Sequence, residues 1–210
     1  MGERIIRVRG SAHMAGVPDW VVISFDARSH DYLYEKCMEQ MGKNTENLRS
    51  ELVSIGFEAD NLKTSDFQIN PDFEWVKNQR TFRGYRASHH LRVEFAFDKE
   101  FLNKVLHVLG KSESEASFQI SFIIKDPEPL KQKALAEAVR NARSKAEVLA
   151  EASGVNLGEI QQIDYSWSEV HFDSSMKLSS MAEPEMMASY DITPDDIDVS
   201  DSVTVVWSIK

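Results

Sequence analysis

Apolar residues recur along the chain with two different periods, and the switches between them predict the order of elements. Alternation over 3–13 and again over 20–30 ("WVVISFDARSH") predicts two strands, joined by a turn at "AGVPD". The period then changes. Tyr34, Cys37, Met41, Leu48, Leu52 and Ile55 fall at spacings of three, four and seven, which predicts a helix with one buried face. Asp31 is placed to cap its start and Gly56 to end it. Two longer strands follow over 62–76 and 80–97, with "KNQ" between them as a hairpin turn and Leu91, Val93, Phe95 and Phe97 alternating.

A second amphipathic helix covers about 98–110 through Phe101, Leu102, Val105, Leu106 and Leu109. The strand at 116–126 puts Phe118, Ile120, Phe122 and Ile124 on one face. Asp126 and Pro127 then open a long helix that Gly154 closes. Within it, Ala134, Ala138, Ala142, Ala146 and Ala150 recur at every fourth position. Small side chains let a helix backbone lie close to a neighbour, so this stripe marks a packing face or a subunit interface. Leu135, Val139 and Leu149 lie beside it, and the pairs Lys133–Glu137, Glu137–Arg140 and Arg143–Glu147 suit a solvated back. Strands over 158–170 and through "DIDVSDSVTVVWSIK" complete the pattern.

The order ββα-ββ-αβ-α-ββ predicts an α+β protein of two-layer α/β sandwich lobes with mostly antiparallel sheets. From the strand at 20–30 to that at 116–126 it reads βαββαβ, the ferredoxin-like order. One lobe is therefore expected over about 20–125, and a second from 1–19 with 126–210. Residues 172–195, rich in Ser, Met, Asp, Glu and Pro and without periodicity, are expected to form a flexible acidic loop.

Composition narrows function more than fold. The chain of 210 residues is 42% hydrophobic and 28% charged, ordinary for a globular protein. No apolar run reaches the roughly 18 residues of a membrane span. The N-terminal residues lack a signal-peptide core, so a cytoplasmic location is expected; export is the alternative if a leader has been removed. The net charge of −10 is uneven: between Asp164 and Ser202, ten acidic residues face one basic residue, Lys177. The remainder is nearly neutral, without the basic footprint that nucleic acid requires.

Catalytic and metal motifs are missing. The single cysteine, Cys37, falls at a core position and reads as an inert thiol. The six histidines show no HxxxH or HExxH spacing, and neighbours His89 and His90 point to opposite faces of a strand. The run "DITPDDIDVSD" lacks the central Gly and closing Glu of a calcium loop. Met176, Met181, Met186 and Met187 could offer soft Cu(I) ligands or an adaptable docking surface, though with no His or Cys among them. No GxGxxG, Walker or GxSxG pattern occurs.

Several stretches in order resemble the SIMPL domain, a family of unknown function related to bacterial periplasmic immunogenic proteins. They are "IIRVRGSAHMAGVPDWVVISF" with Gly10, Pro18 and Asp19, and "INPDFEW" with "GYRASHHLRVEF", containing Pro71, Gly84 and Tyr85. The third runs from "ISFIIKDPEP" through the alanine stripe to "GVNLGEI", with Asp126, Arg143, Gly154 and Gly158. The resemblance implies a two-part α+β fold with no established catalytic residue or cofactor, and relatives of which some are exported, some linked to oxidative stress and some assembled into rings. The expected function is thus a non-enzymatic, self-associating scaffold or interaction protein, linked to stress response, with a protein partner but no cofactor, metal or nucleic acid. The alternatives are a small-molecule or soft-metal binder using the Met-rich loop, and an unrecognised hydrolase.

Overall fold

A computed structural model describes residues 4–112, 114, 116–165, 173–176 and 191–210. In chain order the elements are β1 (Ile5–Gly16), β2 (Trp20–Asp31), α1 (Tyr34–Ser54), β3 (Lys63–Val76), β4 (Gln79–Ala96), α2 (Lys99–Leu109), β5 (Ala116–Ile123), α3 (Glu128–Ala152), β6 (Leu157–Asp164), β7 (Asp173–Met176) and β8 (Ile197–Ile209). The class is α+β. The chain divides into two units, one of Asp19–Ile123 with Ser174–Pro194, the other of Met1–Pro18, Ile124–Asp173 and Asp195–Lys210.

In the first unit the segment βαββαβ closes into a sheet of order β3-β4-β2-β5, which β7 extends beyond β5. That is the ferredoxin-like arrangement. β2 runs antiparallel to both β4 and β5, and β3 to β4. Alternate residues Val21, Ile23 and Phe25, Leu91 and Val93, and Ile120 and Phe122 meet Leu48 and Leu52 of α1 and Leu102, Val105 and Leu106 of α2 in one core. Ile192 joins that core, within the stretch expected as a loop. The Met-rich remainder of that stretch, Met181, Met186 and Met187 included, lies outside the described residues.

Helix ends follow local chemistry. The Asp98 carboxylate caps α2, accepting from the Phe101 amide at 2.7 Å. At α1 the sequence expectation needs correcting: Asp31 is not the cap. Its carboxylate accepts from the Leu33 amide at 2.8 Å, and the helix starts one residue later without a side-chain cap. Tyr34, expected on the buried face, is half exposed, whereas Asn44 fills the missing step between buried Met41 and Leu48. Gly56, at φ +112°, ends α1; the Phe57 amide reaches back to the Leu52 carbonyl and the Gly56 amide to that of Val53, a Schellman closure.

The second unit is an antiparallel sheet of order β1-β8-β6 with α3 across one face. All five stripe alanines are buried, and Ala138, Ala142 and Ala146 pack with Val8, Ala12, Val203, Val205 and Trp207. The contact is at its closest over Gly10. A side chain there would run into the Ala138 carbonyl oxygen and stand 2.6 Å from the Ala142 amide nitrogen. Leu149, expected to contribute to the apolar face, is about half exposed, because it stands roughly 60–100° round the helix from the buried Ala146 and Ala150, to one side of the stripe. The cap expected of Asp126 at the start of α3 needs the same correction: its carboxylate accepts from the Glu128 amide at 3.2 Å, and Pro127 takes the N-cap position with no side-chain cap. At its end Gly154, φ +69°, makes the same closure as Gly56.

Candidate functional site

The positions singled out in the sequence separate between the two units. Gly10, Asp126, Arg143, Gly154 and Gly158 belong to the β1-β8-β6 unit, where their roles are architectural. Arg143 pairs with Glu147 at 2.9 Å on the solvated back of α3, and Gly158 lets β6 approach the Ser208 carbonyl of β8. Pro18 lies in the β1–β2 turn, and Asp19 bridges strands in the other unit, its amide donating to the Ile123 carbonyl and its carbonyl accepting from the Phe97 amide. Pro71, Gly84 and Tyr85 come together at one place, the base of the β3–β4 hairpin.

Cys37 is fully buried, with its thiol 3.4 Å from the Tyr85 carbonyl and the Ser29 hydroxyl donating to the Cys37 carbonyl. Among the described residues no group of three or more His, Cys, Asp or Glu is placed to hold a metal ion. No helix of the described residues is long and apolar enough to cross a membrane.

The face of the five-stranded sheet opposite the helices is polar. Register brings His90 opposite Asp26, with Nδ1 3.7 Å from the carboxylate, and places His30 Nε2 3.3 Å from Asp72, which also accepts from Arg86 at 3.0 Å. Sequence spacing could not reveal these pairs, since they depend on which residues face each other across strands. His89 points the other way. Its ring bridges the Thr45 hydroxyl of α1 at 3.1 Å and the Thr64 hydroxyl of β3 at 2.9 Å, and Phe67 stands edge-on to it. Burial, then the charges of Arg49 and His90, hold its pKa below the ordinary imidazole value.

The sign for stability follows from linkage. As pH falls through about 6.5, the unfolded chain binds a proton at His89 before the folded chain does. His89 therefore contributes stability above that pH which is lost on acidification. His89→Gln is expected to flatten the fall in urea-unfolding stability between about pH 7.5 and 5.5 relative to the parent protein. Equal slopes would show that His89 titrates alike in both states.

The most unusual surface is the hairpin itself. β2 pairs with β4 only as far as Tyr85, so among the described residues Asp72–Val76 and Gln79–Gly84 continue as a two-stranded ribbon paired with each other alone. Lys77 and Asn78, both at positive φ, make its tight turn. Between Asp72/Gly84 and Phe73/Phe82 the register slips by one residue, a bulge at Arg83. The slip reverses the alternation of β4. Phe82 and Arg80 thereby join Phe73, Trp75 and Tyr85 on the side of the sheet that carries the helices. Gly84 makes the bulge possible with φ +120°, where a side chain would meet the Asp31 carbonyl and stand 2.7 Å from the Tyr32 Cα.

The rings form a connected series. Tyr34 meets Tyr85 edge-on at 5.5 Å, Tyr85 meets Phe82 at 5.4 Å, and Phe82 meets both Tyr32 and Phe73. The Arg80 guanidinium lies 3.8 Å over the Phe73 ring. Trp75, directly across from Arg80, is 74% exposed. On the opposite face Arg83 and Glu74 pair at 2.8 Å. No sequence period betrays this patch, because the bulge breaks the period.

The model of the family described as "SIMPL: Protein of unknown function (DUF541)" matches residues 6–207. The chain is 24% identical over 205 residues to the uncharacterized protein YggE of Edwardsiella ictaluri, covering 96% of this chain and 85% of that one. Among solved structures it is similar to the crystal structure of a hydrolase from Listeria innocua, 12% identical and covering 96% of this chain and 92% of the other. The TM-score of that likeness is 0.16, which carries no argument about fold or activity.

Proposed function

The chain belongs to the SIMPL family, and from that premise we propose that it is a self-associating interaction protein, working by binding rather than by turning over a substrate. The observation that carries this reading is the β3–β4 hairpin. β3 is a 14-residue strand at the edge of its sheet with no fully buried residue, and it runs on past β2 into a ribbon with an aromatic face. Long exposed edges and apolar patches are costly to leave open, and in soluble proteins they mark places where another chain docks. Asp66, Pro71, Asp72 and Glu74 discourage indiscriminate pairing along the edge itself, whereas the ring-bearing face has no such guard.

Sedimentation velocity at micromolar concentration is expected to show a species of at least twice the 23.9 kDa chain mass, dissociating on dilution. A single 23.9 kDa species throughout would overturn the reading.

A further inference from the structure

Resting on the reading of self-association, we infer that the aromatic face of the β3–β4 ribbon is a two-fold docking surface whose occupant is the same face of a second copy. Two observations support this occupant over another. The first is the arrangement on the face. Trp75 and Arg80 sit side by side as a cross-strand pair, and the indole is exposed. An indole ring and a guanidinium attract each other, so under a two-fold operation each Trp75 meets the partner's Arg80. A surface carrying both halves of one interaction is self-complementary.

The second is charge. Of the net charge of −10, −9 falls between Asp164 and Ser202, so the chain's acidic character is concentrated in that stretch. The ribbon departs from this: between Asp72 and Arg83 it holds two acidic and three basic residues. Glu74 is already paired with Arg83 on the far face. Among the described residues Arg80 makes no ion pair, so the ring-bearing face offers its guanidinium to a second copy's indole without a carboxylate competing for it.

The test uses the full chain and two exposed-site variants, Trp75→Ser and Arg80→Glu, compared by sedimentation equilibrium with their melting curves as a check on folding. Each alone is expected to weaken the dimer at least about tenfold, as loss of a central aromatic or Arg contact does. Mixed in equal amounts, they are expected to recover part of the dimer, because the mixed pair keeps one intact Trp75–Arg80 contact where neither variant's own dimer keeps any. If the parent protein self-associates and both variants match it, the docking surface is wrong while self-association stands. If both weaken association but mixing recovers nothing, the two-fold pairing is wrong and the ribbon docks on another surface of the second copy. A parent protein that is monomeric throughout removes both readings.

Discussion

Gly10→Ala is expected to lower the melting temperature by about 10 °C, one of two large effects that single methyl groups should have on this fold. An added Cβ at Gly10 strikes the Ala138 carbonyl and comes within 2.7 Å of the Ala142 Cβ. Neither can rotate aside, since one is helix backbone and the other a side chain with no rotamers. β1 or α3 must move, and both are tied into the same small core with β8. Overpacking costs about 1–3 kcal/mol, with the upper end expected where backbone is struck. At roughly 2–4 °C per kcal/mol for a chain of this size, the shift is large enough for calorimetry to read directly. Gly42→Ala is the contrasting change: it lies in α1 with nothing within 4 Å and should be neutral or stabilising, by up to about 1 kcal/mol. Equal melting temperatures for the two variants would show that β1 does not rest on the α3 backbone.

Gly84→Ala combines two penalties at one position. Its φ of +120° lies where only glycine is at ease, and its Cβ would press on the Asp31 carbonyl and on Tyr32. Backbone strain of about 1–3 kcal/mol adds to the steric clash, for a total of roughly 2–4 kcal/mol. The loss is local in character. The bulge aligns Phe82 with Phe73 and Tyr85, so relaxing it should turn Phe82 out of the ring series. Near-ultraviolet circular dichroism should weaken even under conditions where the helices persist, and self-association should fall with it. An unchanged near-ultraviolet spectrum would mean that the ring series does not depend on the bulge.

These two glycines also show what could and could not be read in advance. Elements whose signals are local were legible: the stripe of alternating residues in β2 and β4, and Gly56 and Gly154 as helix stops, all act within a few residues. The βαββαβ order followed from them and fixed the strand order of the larger sheet. What failed lies at the edge of a buried face or reaches across strands. Leu149 is half exposed because it lies to one side of the buried Ala146 and Ala150, and Tyr34, in the first turn of α1, is half exposed with Tyr85 edge-on to it. The pairing of His90 with Asp26 needs the register of β2 on β4. The ribbon's ring-bearing face needs the one-residue slip at Arg83, which inverts the alternation that a reading by eye extends unbroken.

The pairing of β1 with β8 sets Ile5 opposite Ser208, so the two ends of the chain lie in adjacent strands. On the ribosome, β1 emerges well before β8, its strand partner among the described residues. The unit built on Asp19–Ile123 has nearly all its elements early and can close while synthesis continues, but β1, with Ile5, Ile6 and Val8, has to wait unpaired. Closing so long a loop adds only logarithmically to the entropic cost, so stability does not suffer much, yet the rate does. The slow step in refolding should accordingly be the arrival of β8, and a circular permutant that joins the two ends and opens the chain elsewhere should fold faster without a change in its final structure.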